Sequence, residues 1–262
     1  LLSARGTFQK SSTFRPGACE YLFRYVDGYH VISKFLDDNI HRLGLPAEIP
    51  TWRVEPAIDL ALFKPPPTSE RALDGPLRIV SVGRLRWQKG YEFAIDAVAK
   101  LRDLGVDFSY EIYGSGPYER AIRFAIREYA LEDRVKIMGA KPRESIPRVL
   151  ARADVMLHSA IEEGFCNAVV EAQAMELPVV TSDAGGLPEN VEDGLTGFVV
   201  PRRDPRALAE KLAQLARDPE LRRRLGANGR RRALERFDLD RQAEAFVHLY
   251  RELVARPRRE AH

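Results

Sequence analysis

Cysteine is scarce in this sequence. The 262 residues hold two, Cys19 and Cys166, far apart in the chain. That rules out a disulfide-stapled scaffold, and a reducing cytoplasm is the simplest compartment. No apolar run approaches the ~20 residues that a membrane-spanning helix needs. Low-complexity tracts are also missing, so most of the chain has the content to pack a core. Charge of one sign is not in large excess: 41 basic against 38 acidic residues, a net charge of +3. That mild balance gives no electrostatic reason to expect nucleic acid as a partner. The opening residues, LLSARG, lack a Met and read as strand, so the chain is expected to be a fragment or a processed product.

Hydrophobic residues make up 45% and charged residues 30%, an ordinary balance for a globular protein. Only eight of the basic residues are Lys. The Arg excess is read first as a genomic composition bias on a solvated surface. The densest basic run, LRRRLGANGRRRALERF (221–237), reads as a helix pair with an Arg-coated face.

From residue 77 strand and helix patterns alternate. Short apolar runs at 77–83, 109–114, 134–139, 155–160, 178–182 and 197–200 read as six strands. Helical spacing lies between them at 91–105, 118–130, 144–153 and about 166–176, and after them at 204–216. Asp204 and Pro205 supply an N-cap and a first helical residue. Such alternation predicts a doubly wound α/β fold with a parallel Rossmann-like sheet. Residues 1–63 read as an incomplete α/β segment, 64–76 as a Pro-rich linker and 77–237 as the main domain. Residues 238–262 read as a terminal helix with a basic tail, its DLD (238–240) a helix cap.

In open parallel sheets a ligand sits beyond the C-terminal ends of the strands, where helices begin. The loop after the fourth strand leads into EEGFCNAVVEAQA (162–174), where Glu163 and Glu171 bracket seven uncharged residues. Glu163 falls in the loop and Glu171 in the second helical turn. The N–H groups of Gly164, Phe165, Cys166 and Asn167 lie between, at a helix start that favours phosphate. Carboxylates accept hydrogen bonds from sugar hydroxyls. The layout is phosphate in the middle with hydroxyls at both ends, that of a nucleoside diphosphate sugar. Two solvated acids at a helix start are the plainer alternative. Arg84 and Lys89, after the first strand, could neutralise a diphosphate. Gly185 and Gly186 allow a ligand close to the backbone, or simply a tight turn. GSG (114–116) lacks the third Gly of the dinucleotide fingerprint, which disfavours a nicotinamide enzyme.

VGRLRWQKG, IYGSGP, SAIEEGFCNAVVEAQAMELPVVTSDAGGLPE, DGLTGFVVP and DPRALAEKL stand here in the order seen in family 4 retaining glycosyltransferases of the GT-B fold. The chain resembles that family over about residues 20–255, mainly in its C-terminal, donor-binding domain. The resemblance implies that Glu163 contacts the donor sugar, that Glu171 binds the ribose and that Arg84 and Lys89 bind the diphosphate. It implies sugar and phosphate contacts for Gly164, Phe165, Cys166 and Asn167. With Gly83 and Gly114 these form the expected donor-binding set, and Glu163, Arg84 and Lys89 are the expected catalytic residues. No metal ligand and no cofactor besides the donor is expected. Cys166 stands where the family has a small residue such as Gly. The family's N-terminal Gly-rich loop and His are not found: His30, His41 and His158 read as strand or surface residues.

The expected activity is transfer of a sugar from a nucleoside diphosphate sugar to an acceptor hydroxyl in glycan or polysaccharide synthesis. A second expectation is a non-catalytic donor-binding subunit, completed by a homodimer partner or another chain that supplies the acceptor domain. A third is a basic module binding polyanions or an anionic membrane. The expected location is the cytoplasm or the cytoplasmic membrane face.

Overall fold

A computed structural model of the chain describes residues 1–4, 18–65 and 75–256. The first part runs β1 (Leu2–Ala4), α1 (Ala18–Phe23), β2 (Tyr29–Val31), α2 (Lys34–Arg42) and β3 (Thr51–Arg53). The three strands pair in parallel in that order. Most of the expected linker, residues 66–74, and the basic tail from 257 lie outside the described residues.

The main unit follows as β4 (Leu77–Val82), α3 (Tyr91–Asp103), β5 (Phe108–Tyr113), α4 (Glu119–Glu128), β6 (Val135–Gly139) and α5 (Ile146–Ala151). It continues with β7 (Val155–His158), α6 (Asn167–Ala174), β8 (Val179–Ser182), α7 (Leu187–Asn190) and β9 (Gly197–Val200). Helices α8 (Pro205–Arg217), α9 (Pro219–Arg236) and α10 (Leu239–Ala255) end it. All six expected strands form, in one parallel sheet ordered β6-β5-β4-β7-β8-β9. The order reverses between β4 and β7, which places a crevice at their C-terminal ends.

Both faces of this sheet are covered. Ile79, Val155, Leu157 and Val180 pack in one core with α3 and α8, whereas their neighbours Val80, Met156 and Val179 pack in the other with α6. Adjacent residues entering opposite cores is the period of two expected of a strand. The second core also takes in Val31, Leu36, Ile40, Ile49, Ile58 and Phe63. The N-terminal segment therefore shares one core with the six-stranded unit.

Residues 221–237 do not form a helix pair. α9 is continuous, and its glycines lie where it passes close to the helix beneath. A Cβ on Gly226 would stand 2.1 Å from the Glu176 carbonyl oxygen. Nor are all of its arginines a solvated coat. Arg222 and Arg232 are buried. Arg232 donates to the Asn190 and Glu189 carbonyls and to the Glu192 carboxylate. Half-buried Arg230 donates to the carbonyls of Phe63 and Ala174. These guanidiniums satisfy carbonyls that packing removes from water.

Asp204, Asp218 and Asp238 cap α8, α9 and α10 through their side chains, so DLD is indeed a helix start. α10 then returns to the three-stranded sheet. There Phe246 packs on the His30 ring at 5.0 Å and Trp52 Nε1 donates to Glu252 at 2.6 Å.

Phe237 joins these parts. It is 1% exposed, meets Phe165 edge-to-face at 5.8 Å, and its carbonyl accepts from the Ile58 amide. Phe237→Ala should cost about 3–5 kcal/mol of stability, the usual range for an aromatic cavity. Urea unfolding checks this, and a loss below about 1 kcal/mol would remove Phe237 from that joining role.

Candidate functional site

The loops after β4 and β7 meet above the point where strand order reverses. Gly90, with φ +59°, makes the approach possible: a Cβ there would lie 2.2 Å from the Ser159 carbonyl oxygen. Ser159 Oγ donates to the Gly90 carbonyl at 2.8 Å, and the Ile161 amide donates to Gln88 at 2.9 Å. This stapling sets Lys89 against Glu163, and the ammonium and a carboxylate oxygen form a direct ion pair. His158, the last residue of β7, brings Nε2 to 3.3 Å from the same oxygen. Cys166, the N-cap residue of α6, joins them: one ligand atom from each of His158, Glu163 and Cys166 lies within 4.8 Å of the others.

His158 is buried, not a surface residue, and belongs to this cluster. Its only sequence signal is its place at the end of the strand that leads into the Glu163 loop. Burial works against each charge in the cluster, and the neighbours overcome it. His158 and Lys89 hold the Glu163 carboxyl down to about 2. Cys166 and Glu163 push His158 up to about 9 against burial and the repulsion of Lys89. Lys89 is raised too: burial lowers it, but Cys166 and Glu163 outweigh that and the repulsion of Arg84.

The other expected site residues divide. Arg84 and Asn167 are exposed. Gly83 and Gly114 stack loop on loop, since a Cβ on Gly114 would lie 1.8 Å from the Gly83 carbonyl oxygen. Phe165 turns into the core. Of the four amides expected to face a phosphate, that of Cys166 is taken by Asn190 Oδ1 at 3.0 Å. Gly185 and Gly186 make their close approach to protein. Cβ atoms there would lie 1.9 and 2.1 Å from the carbonyl oxygens of Glu163 and Gly164, and the Gly186 amide donates to Glu163.

Glu171 does not share the Glu163 partners. Its carboxylate is 3.9 Å from Arg143, in the turn after β6. Burial raises its pKa and Arg143 opposes the rise. Glu189, at the end of GGLPE, accepts from the Lys34 and Phe35 amides at 2.7 and 2.8 Å. It thus satisfies the free donors at the start of α2, and Leu36 of that helix packs on Gly164. The N-terminal segment therefore backs the Glu163 loop directly.

Residues 67–232 match the model of the glycosyl transferases group 1 family. The chain belongs to this family. WcaL of Escherichia coli K12, named for colanic acid biosynthesis, is 39% identical over 74% of this chain and 48% of its own length. The amylovoran biosynthesis glycosyltransferase AmsK of Erwinia amylovora is 37% identical over 71% of this chain and 46% of its own. The chain spans about half the length of these curated relatives. Among solved structures, the sucrose-phosphate synthase of Thermosynechococcus elongatus superposes with a TM-score of 0.83 at 26% identity. That match covers 95% of this chain and 64% of the synthase. Anabaena HepE, solved with UDP, gives 0.84 at 22% identity over 96% of this chain and 72% of its own, a likeness of fold. The expected α/β fold is therefore that of group 1 glycosyltransferases. No helix among the described residues is long and apolar enough to cross a membrane.

Among the described residues, Arg143 is the one cation opposing the Glu171 rise, so Arg143→Gln should push the Glu171 carboxyl pKa further up. Removing a nearby positive charge favours the protonated acid. A carboxyl-carbon NMR titration reads the midpoint, and an unmoved midpoint would rule out a charge interaction between the two.

Proposed function

We propose that this chain is the donor-binding part of a retaining glycosyltransferase that moves a hexosyl group from a nucleoside diphosphate sugar to an acceptor hydroxyl. The reading rests on one arrangement: Arg84 and Lys89 on the β4 loop, with Glu163 on the β7 loop and Glu171 on the helix that follows. Family membership supports transfer chemistry, and the names of WcaL and AmsK support a polysaccharide pathway.

The roles follow from charge. As the glycosidic bond breaks, negative charge grows on the leaving diphosphate, and Arg84 and Lys89 lie where they can stabilise it. Lys89 turns from Glu163 towards that charge, and the carboxylate then accepts hydrogen bonds from donor sugar hydroxyls. Glu171, further along α6, takes the ribose hydroxyls. The acceptor oxygen approaches on the face from which the diphosphate leaves, so configuration is retained without a protein nucleophile. No metal is invoked, since the two cations serve the leaving group. Because the chain spans about half of its curated relatives, a second reading keeps the same donor site. In it the chain is a donor-binding subunit, and a partner chain or a second copy supplies the acceptor domain.

Calorimetric titration with UDP, GDP and ADP sugars tests both. One nucleotide should bind, and Glu171→Ala should weaken it by about 1.5–3 kcal/mol, roughly ten- to hundredfold. Equal affinity in the variant, or no binding of any nucleotide, would overturn the donor reading. Turnover by the chain alone, against turnover only with added partner, separates the two forms.

A further inference from the structure

We propose that His158, Glu163 and Cys166 form a binding site for a thiophilic divalent cation of the zinc type, and that its occupancy closes the cleft to the donor. The cation site stands on its own geometry; only the closure rests on the donor reading above.

The donor set is one imidazole, one carboxylate and one thiol, the nitrogen, oxygen and sulfur ligands that zinc takes. Hard cations such as magnesium and calcium prefer oxygen alone, which disfavours them here. One ligand atom from each residue lies within 4.8 Å of the others. In a tetrahedral zinc site such atoms stand about 3.3–3.6 Å apart, given bonds of 2.0–2.3 Å. His158 Nε2 and Glu163 Oε2 are already 3.3 Å apart. The sulfur therefore has to close by at most about 1.3 Å.

The supports are firm. His158 ends β7 and Cys166 caps α6, both buried in the core, while partly exposed Glu163 leaves a side open for a fourth ligand. An open position is the mark of a site that exchanges its ligand. Binding forms bonds from the metal to nitrogen, oxygen and sulfur. The thiol proton, and any second imidazole proton, pass to solvent. Lys89 is the competitor, because its ammonium pairs with Glu163. A cation entering must send that flexible four-carbon side chain outward. The exchange takes both Glu163 and Lys89 from their places in the donor site.

The probe is Co²⁺ added to the full chain, read by the thiolate-to-cobalt charge-transfer band and its bleaching by Zn²⁺. A band is expected in the parent and in Cys19→Ser, which removes the only other cysteine. It should vanish in Cys166→Ser and weaken in Glu163→Gln, with far-UV circular dichroism showing that both remain folded. Lys89→Met should shift the Co²⁺ titration to lower concentration. Zn²⁺ should abolish nucleotide-sugar binding, and a chelator should restore it. A parent without a band, or a band that follows Cys19 instead of Cys166, would overturn the site. A band with no effect of Zn²⁺ on a donor that does bind would overturn the closure alone. Failure of every donor to bind would overturn the donor reading and the closure with it, while the cobalt band still decides the site.

Discussion

One ion pair organises the upper end of the sheet: Lys89 on the β4 loop against Glu163 on the β7 loop. Both groups are largely buried, and a buried charge is tolerable only when paired and hydrogen-bonded. The pair therefore demands that two loops from different βα units meet in one register. Gly90 allows the contact and Ser159 fastens it. His158 adds a second contact to the same carboxylate, and the Cys166 thiol lies within 4.8 Å of both. Loss of either partner would strand the other in a low-dielectric crevice.

A second constraint acts from below. The Glu163 loop is held against Gly185 and Gly186 by contacts that no larger residue permits. Leu36 packs on it from α2, and Glu189 anchors the start of that helix. Arg232 in turn holds the carbonyls of Glu189 and Asn190, and the Asn190 side chain occupies the Cys166 amide. A chain of polar contacts thus runs from α9 to the helix start at the site. The N-terminal segment takes part in the site's support although no N-terminal residue belongs to the candidate donor set.

The sheet was legible because its signals are local. Each strand is a short apolar run, and each of the longer helices carries its own spacing or cap, as at Asp204 and Asp238. Loops at strand ends could be identified on the same grounds, which is why Arg84, Lys89, Glu163 and Glu171 were candidates at all. Non-local packing decided the rest. The run 221–237 read as a helix pair, yet its Gly226 and Gly229 serve a close crossing over Glu176 and Gln173. The arginines around it looked like surface, yet Arg222 and Arg232 lie inside. Gly185 and Gly186 looked open to a ligand and instead touch the loop beside them.

The sequence by itself determined the parallel α/β class, the places of its strands and the group 1 motifs in order, because hydrophobic period and turn chemistry act between near neighbours. Only the tertiary structure decided that β4 lies beside β7, that Lys89 spends its charge on Glu163 and that His158 belongs to the site. Those facts depend on strand order and on burial. Burial sets which charges must find partners, and residues some 70 positions apart meet only when the sheet has formed.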